Sequence, residues 1–426
     1  MLLAPFNQAL MNFIRQSPTP FHAVQTLANA LRQAGFEALN ESDSWALQAP
    51  GKYFVCRNDS SIIAFKLGTE PLAHSGFKMV GAHTDSPCLK VKPQAILPGK
   101  AYLQVGVEVY GGVLLNPWFD RDLSLAGRVS YRNKSGQLCN ALINFEKALA
   151  IIPSLAIHLD RSANQERSVN NQKDLPPVLA LLNEKTPSFE QLLTEQLKRQ
   201  GVDDVDKILA HELCFYDTQP PQLLGLNDDF IASARLDNLL SCFTGLQALL
   251  ETPDSASCLL MCSDHEEVGS TSACGAQGSF LLDVLARLHA DSETRIRCNQ
   301  RSMLISADNA HGLHPNHVEK HDANHGPILN KGPVIKVNSS QRYASNSETV
   351  ALFRHLAETV QVPVQSFVVR SDMGCGSTIG PLVAAETGIK TIDIGVPTFA
   401  MHSIRELAGA EDAHALYRIL KAFFVS

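Results

Sequence analysis

The stretch CLLMCSDHEE, residues 258–267, places five apolar or thiol-bearing side chains directly before five polar ones. A continuous apolar run of this length is typical of a short strand that is buried on both faces of a sheet. Segments 78–83 (KMVGAH) and 303–308 (MLISAD) repeat the design, and residues 391–394 are followed by a loop that reaches His402. Each apolar segment therefore predicts a strand that ends beside polar, chemically competent side chains.

Helical patterns lie between these strands, at residues 239–250, 280–289 and 348–360. Buried strands that alternate with helices predict an α/β fold, here a mixed sheet flanked by helices. In such sheets the functional groups gather at the carboxyl ends of the strands, which is where all four polar endings lie. We therefore expect the catalytic groups to come from these endings.

The segment from residue 93 to 230 has a different pattern. Residues 104–110 (QVGVEVY) alternate with a period of two, and residues 124–132 are a second strand candidate before a turn at 133–136. We expect an inserted, β-rich second domain at 93–230. The α/β domain is then split in sequence into residues 1–92 and 231–426.

The composition argues against several classes of function. The 426 residues are 45% hydrophobic and 19% charged, with a net charge of −7, as in a large globular protein. A mildly acidic chain without Lys/Arg blocks is a poor candidate for binding nucleic acid or an anionic membrane surface. Neither a signal peptide nor a membrane span is predicted. The ten cysteines form no C-x-x-C pair and several lie in apolar runs, so we expect buried, reduced thiols and a cytoplasmic location.

The polar endings supply imidazole nitrogen and carboxylate oxygen, which are ligands that a pair of Zn²⁺ ions accepts. One Asp carboxylate can bridge two ions about 4 Å apart, after which each ion takes one His and one further carboxylate. That division uses five residues as predicted metal ligands: His83, Asp237, Glu267, Asp308 and His402.

Two acidic residues next to the ligands have other predicted roles. Glu266 is left without a metal, so it can take a proton from the attacking water and later donate it to the leaving amine. Asp85 follows His83 by two residues and is placed to hold the second ring nitrogen of that histidine. Glu266 and Asp85 are therefore the predicted catalytic residues.

A histidine-rich segment follows Asp308. Residues 309–325 carry five histidines, at 311, 314, 317, 321 and 325. A third metal site there is the less favoured interpretation, because the spacing fits no tight ligand motif and Gly, Pro and Asn interrupt it. His311 lies three residues past Asp308, and we expect it to reach the substrate.

Five motifs, in this order, resemble those of the aspartyl aminopeptidase family of dinuclear zinc exopeptidases. They are GAHTDSP (81–87), ARLDN (234–238), DHEEVGS (264–270), SADNAH (306–311) and MHSIRE (401–406). SPTPFH at 17–22 and GPVIKVN at 332–338 are further matches, so the resemblance extends from about residue 17 to the C-terminus. Each motif alone is weak, and the ordered set is specific.

The resemblance implies the same five metal ligands, with Asp237 bridging two Zn²⁺ per subunit and Glu266 as general base. It implies removal of N-terminal Asp or Glu from peptides, a dimerisation role for the inserted domain, and a homo-oligomer, a dodecamer built from dimers. It also suggests Lys336 as the cation that binds the acidic side chain of the substrate. His158 resembles the residue that the inserted domain contributes to a neighbouring subunit's active site.

Other functions stay open at this point. A broad or neutral-residue aminopeptidase on the same fold is the nearest alternative. A carboxypeptidase or deacylase would need an Arg for a substrate carboxylate and a different ligand order. A non-catalytic metal-binding scaffold is disfavoured by the complete ligand set with Glu266. Whether Zn²⁺, Co²⁺ or Mn²⁺ serves best depends on geometry and supply, which the sequence does not fix.

Overall fold

A computed structural model of the chain describes residues 1–99, 101–289 and 291–426. Within these ranges the chain divides into two compact units. The first unit comprises Met1–Ser86, Pro221–Met401 and Glu406–Ser426, and the second comprises Pro87–Pro220 and His402–Arg405. The α/β class is confirmed by the mixed sheets and helices of the first unit. The assignment of catalytic and dimerisation roles to 1–92 with 231–426 and to 93–230 stays a prediction.

The elements of the described ranges follow in chain order. The strands are β1 (Glu37–Leu39), β2 (Gly51–Arg57), β3 (Ser61–Leu67), β4 (Lys78–His83), β5 (Cys88–Leu97), β6 (Tyr102–Tyr110), β7 (Leu123–Asn133), β8 (Leu138–Asn144), β9 (Val178–Leu181), β10 (Val205–Asp217), β11 (Gln222–Leu224), β12 (Phe230–Ser233), β13 (Cys258–Ser263), β14 (Met303–Ala307), β15 (Ala310–His311), β16 (Val334–Lys336), β17 (Gln365–Phe367), β18 (Lys390–Gly395), β19 (Pro397–Phe399) and β20 (Glu406–Gly409). The α-helices are α1 (Leu3–Gln16), α2 (Pro20–Gln33), α3 (Leu72–Ser75), α4 (Phe189–Arg199), α5 (Leu236–Leu250), α6 (Phe280–Leu288), α7 (Ser292–Arg301), α8 (Ser347–Thr359), α9 (Ile379–Thr387) and α10 (Asp412–Phe424).

A nine-stranded sheet organises the described part of the first unit, in the order β1-β2-β3-β13-β4-β14-β18-β16-β17. Its centre is parallel, because β4 pairs in parallel with both β13 and β14, and β14 pairs in parallel with β18. The register sets Ser263 beside His83. Since parallel neighbours end at the same edge of a sheet, the segments that follow β4, β13 and β14 start side by side.

Alternate residues of β13 supply both faces of this sheet. Leu260 and Cys262 belong to one apolar cluster, in which Leu239 of α5 and Leu416 of α10 also lie. Leu259 and Met261 belong to another, with residues of α6 and α9. The period of two in a strand that is buried throughout explains why the segment is continuously apolar in sequence.

A smaller five-stranded sheet lies in the same unit, in the order β11-β12-β20-β19-β15. Strands β12 and β20 are antiparallel and set Ser233 opposite Glu406. Strand β12 leads through Ala234 and Arg235 into α5. This sheet therefore fixes the entry to the helix whose first turn carries Asp237.

The second unit contains a six-stranded antiparallel sheet, in the order β8-β7-β10-β5-β6-β9, among the described residues. Strands β6 and β7 cover the two segments predicted from the sequence as 104–110 and 124–132. Helix α4 adds Leu193 and Leu197 to the apolar core of this unit.

All ten cysteines are free thiols, and the expected burial is confirmed for Cys258 and Cys262. Over residues 1–99, 101–289 and 291–426, no helix combines the length and the apolar character needed to cross a bilayer.

Candidate metal centre

Three adjacent parallel strands and the start of one helix carry the candidate ligands of the first unit. His83 is the last residue of β4, Glu266 and Glu267 follow β13, and Asp308 follows β14. Asp237 lies in the first turn of α5, where its backbone is not yet helical. The predicted polar endings of three strands therefore lie together at one edge of the sheet.

His83 is the hub of this group. Its Nε2 lies 3.3 Å from Oδ1 of Asp237, 3.5 Å from Oδ1 of Asp308 and 3.9 Å from Oε2 of Glu266. Its Nδ1 lies 3.0 Å from the carbonyl oxygen of Asp85 and 3.3 Å from Oδ1 of the same residue. A carbonyl oxygen only accepts, so Nδ1 carries a proton and Nε2 is the nitrogen that faces the carboxylates.

Asp85 also orders the Glu266–Glu267 segment. Its Oδ1 accepts the backbone N–H of Glu266 at 3.2 Å, and its Oδ2 accepts that of Glu267 at 3.1 Å. Asp85 is 1% exposed, so a single buried carboxylate connects the strand that carries His83 to the loop that carries both glutamates. The sequence predicted only its contact with His83.

Three contacts that the sequence did not predict hold Asp237 and His83 in place. Oε2 of Glu406 accepts the backbone N–H of Asp237 at 3.0 Å, and Oγ of Ser86 donates to its carbonyl at 2.6 Å. Sγ of Cys242 lies 3.0 Å from the carbonyl of His83. The only sequence signal for Glu406 was its place at the end of the MHSIRE motif.

The pKa values of Glu266, Glu267 and His83 are all raised, so these three groups favour their protonated forms. Burial raises the pKa of Glu266 to about 8, and neighbouring carboxylates add to the effect. Burial and Asp237 likewise raise the pKa of Glu267. Burial alone would lower the pKa of His83, but Asp237, Asp308 and Asp85 raise it well above 6.5. Without a cation, this cluster therefore takes up protons.

A divalent cation fits this cluster, because it would replace those protons and satisfy several buried carboxylates together. His83, Asp237 and Asp308 offer ligand atoms that all lie within 4.8 Å of one another, and so do His83, Glu266 and Glu267. Imidazole and carboxylate donors suit Zn²⁺. Among the described residues, none of the histidines in 309–325 belongs to such a group.

Lys336 is buried beside Asp308. Lys336 is the last residue of β16 and is 2% exposed. Its Nζ donates to Oδ2 of Asp308 at 3.3 Å and to the carbonyl of Asn309 at 2.9 Å, and lies 5.3 Å from the Tyr343 ring centroid. Burial opposes the ionisation of Asp308, but Lys336 and then His83 outweigh it, so the pKa of Asp308 is lowered.

Three further histidines were predicted to act at the site: His311, His402 and His158. His311 is exposed on β15 and lines a cavity of about 300 Å³ together with Phe367 and Met401. His402 is part of the second unit, where its Nδ1 donates to the carbonyl of Gly112 at 3.0 Å. His158 is exposed in a loop of the second unit.

Comparison with known proteins assigns the chain to one protein family. The family model of aminopeptidase I zinc metalloproteases (M18) matches residues 13–424. A probable M18 family aminopeptidase 2 of Pseudomonas syringae pv. syringae is 58% identical over 424 residues, which is 99% of each chain.

Solved structures with the same fold include two relatives of this family. A chain in the cryo-EM structure of the Ape4 and Nbr1 complex superposes with a TM-score of 0.96 at 40% identity, over 99% of this chain and 86% of that one. The S. cerevesiae mApe1 dodecamer gives a TM-score of 0.85 at 28% identity, over 98% of this chain and 96% of that one.

The fold and these matches first define a class: the chain is a zinc metalloprotease, a hydrolase of peptide bonds. Within that class, the chain belongs to the M18 family of aminopeptidases. The resemblance to the aspartyl aminopeptidase family, drawn from five short motifs, is thereby confirmed.

Proposed function

We propose that the chain is a two-metal aminopeptidase that removes N-terminal Asp or Glu from peptides. The observation that carries this proposal is the group formed by His83, Asp237, Glu266 and Asp308, with all three carboxylates within 3.9 Å of one imidazole nitrogen. His83, Asp308, Glu267 and His402 would hold two Zn²⁺ ions, with Asp237 bridging. Bound there, the ions supply Lewis acidity and lower the pKa of water.

Glu266 is the proposed general base. Its carboxylate lies 3.9 Å from Nε2 of His83 and its backbone N–H is held by Asp85. Glu266 takes the proton of the attacking water and delivers it to the nitrogen of the leaving peptide. Asp85 positions both His83 and Glu266, so that the base and the ligands keep one geometry.

Specificity for acidic residues is assigned to Lys336. A buried ammonium would pair with the side-chain carboxylate of an N-terminal Asp or Glu, and that pair is strong where water is excluded. The exposed His311 and its cavity would contact another part of the peptide.

One observation favours the runner-up, a broad or neutral-residue aminopeptidase. Lys336 already donates to Asp308 and to the carbonyl of Asn309. A lysine committed to a metal ligand would orient that ligand without contacting the substrate. The two functions differ in substrate preference and share the same chemistry.

A metal-dependent assay across N-terminal residues tests the proposal. The purified full chain is stripped with a chelator, reloaded separately with Zn²⁺, Co²⁺ or Mn²⁺, and assayed on Asp-, Glu-, Leu- and Ala-anilides. We expect no turnover without metal and a preference for Asp and Glu. Equal or faster turnover of Leu-anilide would identify the neutral aminopeptidase, and turnover that survives chelation would refute the metal mechanism.

The assembly and location are part of the same proposal. A homo-oligomer, a dodecamer built from dimers, is supported by the dodecamer that the S. cerevesiae relative forms. In that assembly His158 would reach the active site of a neighbouring subunit. We further propose a cytoplasmic location, which suits ten free thiols. Light scattering of the purified chain should give twelve chain masses, and a stable, fully active monomer would contradict the assembly.

A further inference from the structure

The segment that follows β13 carries a second group of ligand side chains, separate from the proposed metal ligands. Asp264, His265 and Cys274 each offer one ligand atom, and these atoms all lie within 4.8 Å of one another. The group includes a thiol, whereas the proposed catalytic ligands are nitrogen and oxygen donors only.

The thiol and the imidazole are in direct contact. Sγ of Cys274 lies 3.5 Å from Nδ1 of His265. Oγ of Ser272 lies 2.8 Å from the same nitrogen and 3.7 Å from the sulfur. Ligands at Zn–S and Zn–N bond lengths in a tetrahedral site are about 3.5 Å apart. The Cys274–His265 separation therefore matches that of two ligands to one ion.

Asp264 contacts the other nitrogen of the ring. One imidazole binds an ion through one nitrogen only, so Asp264 would share an ion with Cys274 through the carboxylate oxygen that lies within 4.8 Å of Sγ and of one ring nitrogen. Its Oδ2 lies 3.5 Å from Nε2 of His265, and its Oδ1 accepts the backbone N–H of the same residue at 2.8 Å. Asp264 and Cys274 are both 4% exposed, whereas the His265 side chain is 27% exposed. The group therefore combines two buried ligands with one that solvent reaches.

The backbone keeps the two ends of this segment close. His265 has a left-handed conformation (φ 64°), and its carbonyl accepts the N–H of Ser270 at 2.7 Å. Oγ of Ser272 accepts the N–H of Gly275 at 2.9 Å. The fold thus brings residue 274 to residues 264 and 265, and a rotation of the Asp264 carboxylate or of the His265 ring would turn all three ligand atoms toward one ion.

We propose that Asp264, His265 and Cys274 form a third metal site, which binds a soft divalent cation such as Zn²⁺, Cd²⁺ or Co²⁺. Thiolate and imidazole together select these ions over Mg²⁺ or Ca²⁺. Three protein ligands leave one coordination position for water. The ion connects the residues directly before Glu266 to residue 274 and so restrains the loop that carries the proposed base.

Co²⁺ tests the site with a readout that does not depend on peptidase activity. Thiolate bound to Co²⁺ gives an intense near-ultraviolet charge-transfer band, which nitrogen and oxygen ligands do not give. The full-length protein is titrated with Co²⁺ past saturation of the proposed catalytic site. We expect a band that grows to one equivalent per chain, is absent in Cys274→Ser and persists in Cys298→Ser. Cys298 is a matched buried thiol, 4.0 Å from Oγ of Ser302.

Two results would overturn the site: no charge-transfer band in the unmodified protein, or a band of full intensity in folded Cys274→Ser. If Cys274→Ser does not fold, His265→Gln keeps the thiol and loses one ligand. We expect its Co²⁺ affinity, followed by the same band, to fall about tenfold or more. Unchanged affinity would also overturn the proposal. Failure of the peptidase assay leaves this absorption test unaffected.

Discussion

Replacing Lys336 by Met removes one charge at nearly constant volume and separates two roles of this residue. Nζ lies 3.3 Å from Oδ2 of Asp308, and both side chains are largely shielded from water. At an effective dielectric constant of about 20, two unit charges at that distance attract each other by about 5 kcal/mol. Removing one partner of a buried pair typically costs about 3–5 kcal/mol. We therefore expect a clear loss of stability in the metal-free protein.

The substrate role has a different signature. A hydrogen bond to a charged group contributes about 1.5–3 kcal/mol, which corresponds to roughly tenfold to hundredfold in kcat/KM. If Lys336 contacts the acidic side chain of the substrate, Lys336→Met lowers the ratio of kcat/KM for Asp-anilide to that for Leu-anilide by this factor. Loss of support for Asp308 alone would lower both values equally.

The assay is steady-state kinetics on Asp-, Glu- and Leu-anilides, with zinc per chain measured on the same samples. Lys390→Met is the matched control, because that ammonium is half exposed and pairs with Glu348 at the surface; it should leave rates and ratios unchanged. An unchanged Asp-to-Leu ratio in Lys336→Met would refute the specificity role. It would favour the broad aminopeptidase.

Three further predictions concern the metals, pH and packing. Asp237→Ala should lose bound zinc, measured by mass spectrometry of the metal, and full occupancy would contradict the bridging role. Burial lowers the pKa of His22 from 6.5 to about 4, so the unfolded chain binds the extra proton first and stability falls as pH drops through that window. His22→Gln should remove about 2 kcal/mol of this dependence from urea unfolding at pH 7 and 4.5; an identical pH dependence would refute it. A Cβ at Gly395 would lie 1.8 Å from the carbonyl oxygen of Asp308. Gly395→Ala should therefore lower the free energy of unfolding by about 1–3 kcal/mol or more, measured by thermal unfolding. Gly374→Ala, where no atom lies within 4 Å of the added Cβ, should not.

The central strands were predictable because each is buried on both faces, so its sequence is a continuous apolar run with a sharp polar end. Strands β4, β13 and β14 are of this kind, and their shared direction brings the polar ends together. The start of α2 also follows from local signals, because Thr19 is its N-cap residue and Pro20 is in its first turn. Local pattern is sufficient where one short segment determines the outcome.

Long-range partners were not predictable in the same way. Glu406 supports Asp237 from 169 residues away. Lys336 reaches Asp308 from β16, which is separated from β14 by β18. No sequence spacing relates such positions, because the order of the strands in the sheet brings them together and the periodicity of one segment does not. The burial of Lys336 could not be inferred from the sequence, since a three-residue strand shows no periodicity.

The most direct test of the central claim is Glu266→Gln, with turnover and metal content measured on the same preparation. A base that is not a ligand can lose its charge without releasing metal, so we expect an unchanged metal content and a native fold. The value of kcat on Asp-anilide should fall about 10²- to 10⁴-fold. Glu348→Gln, an exposed carboxylate on α8, serves as control. Near-normal turnover with full metal occupancy in Glu266→Gln would contradict the account.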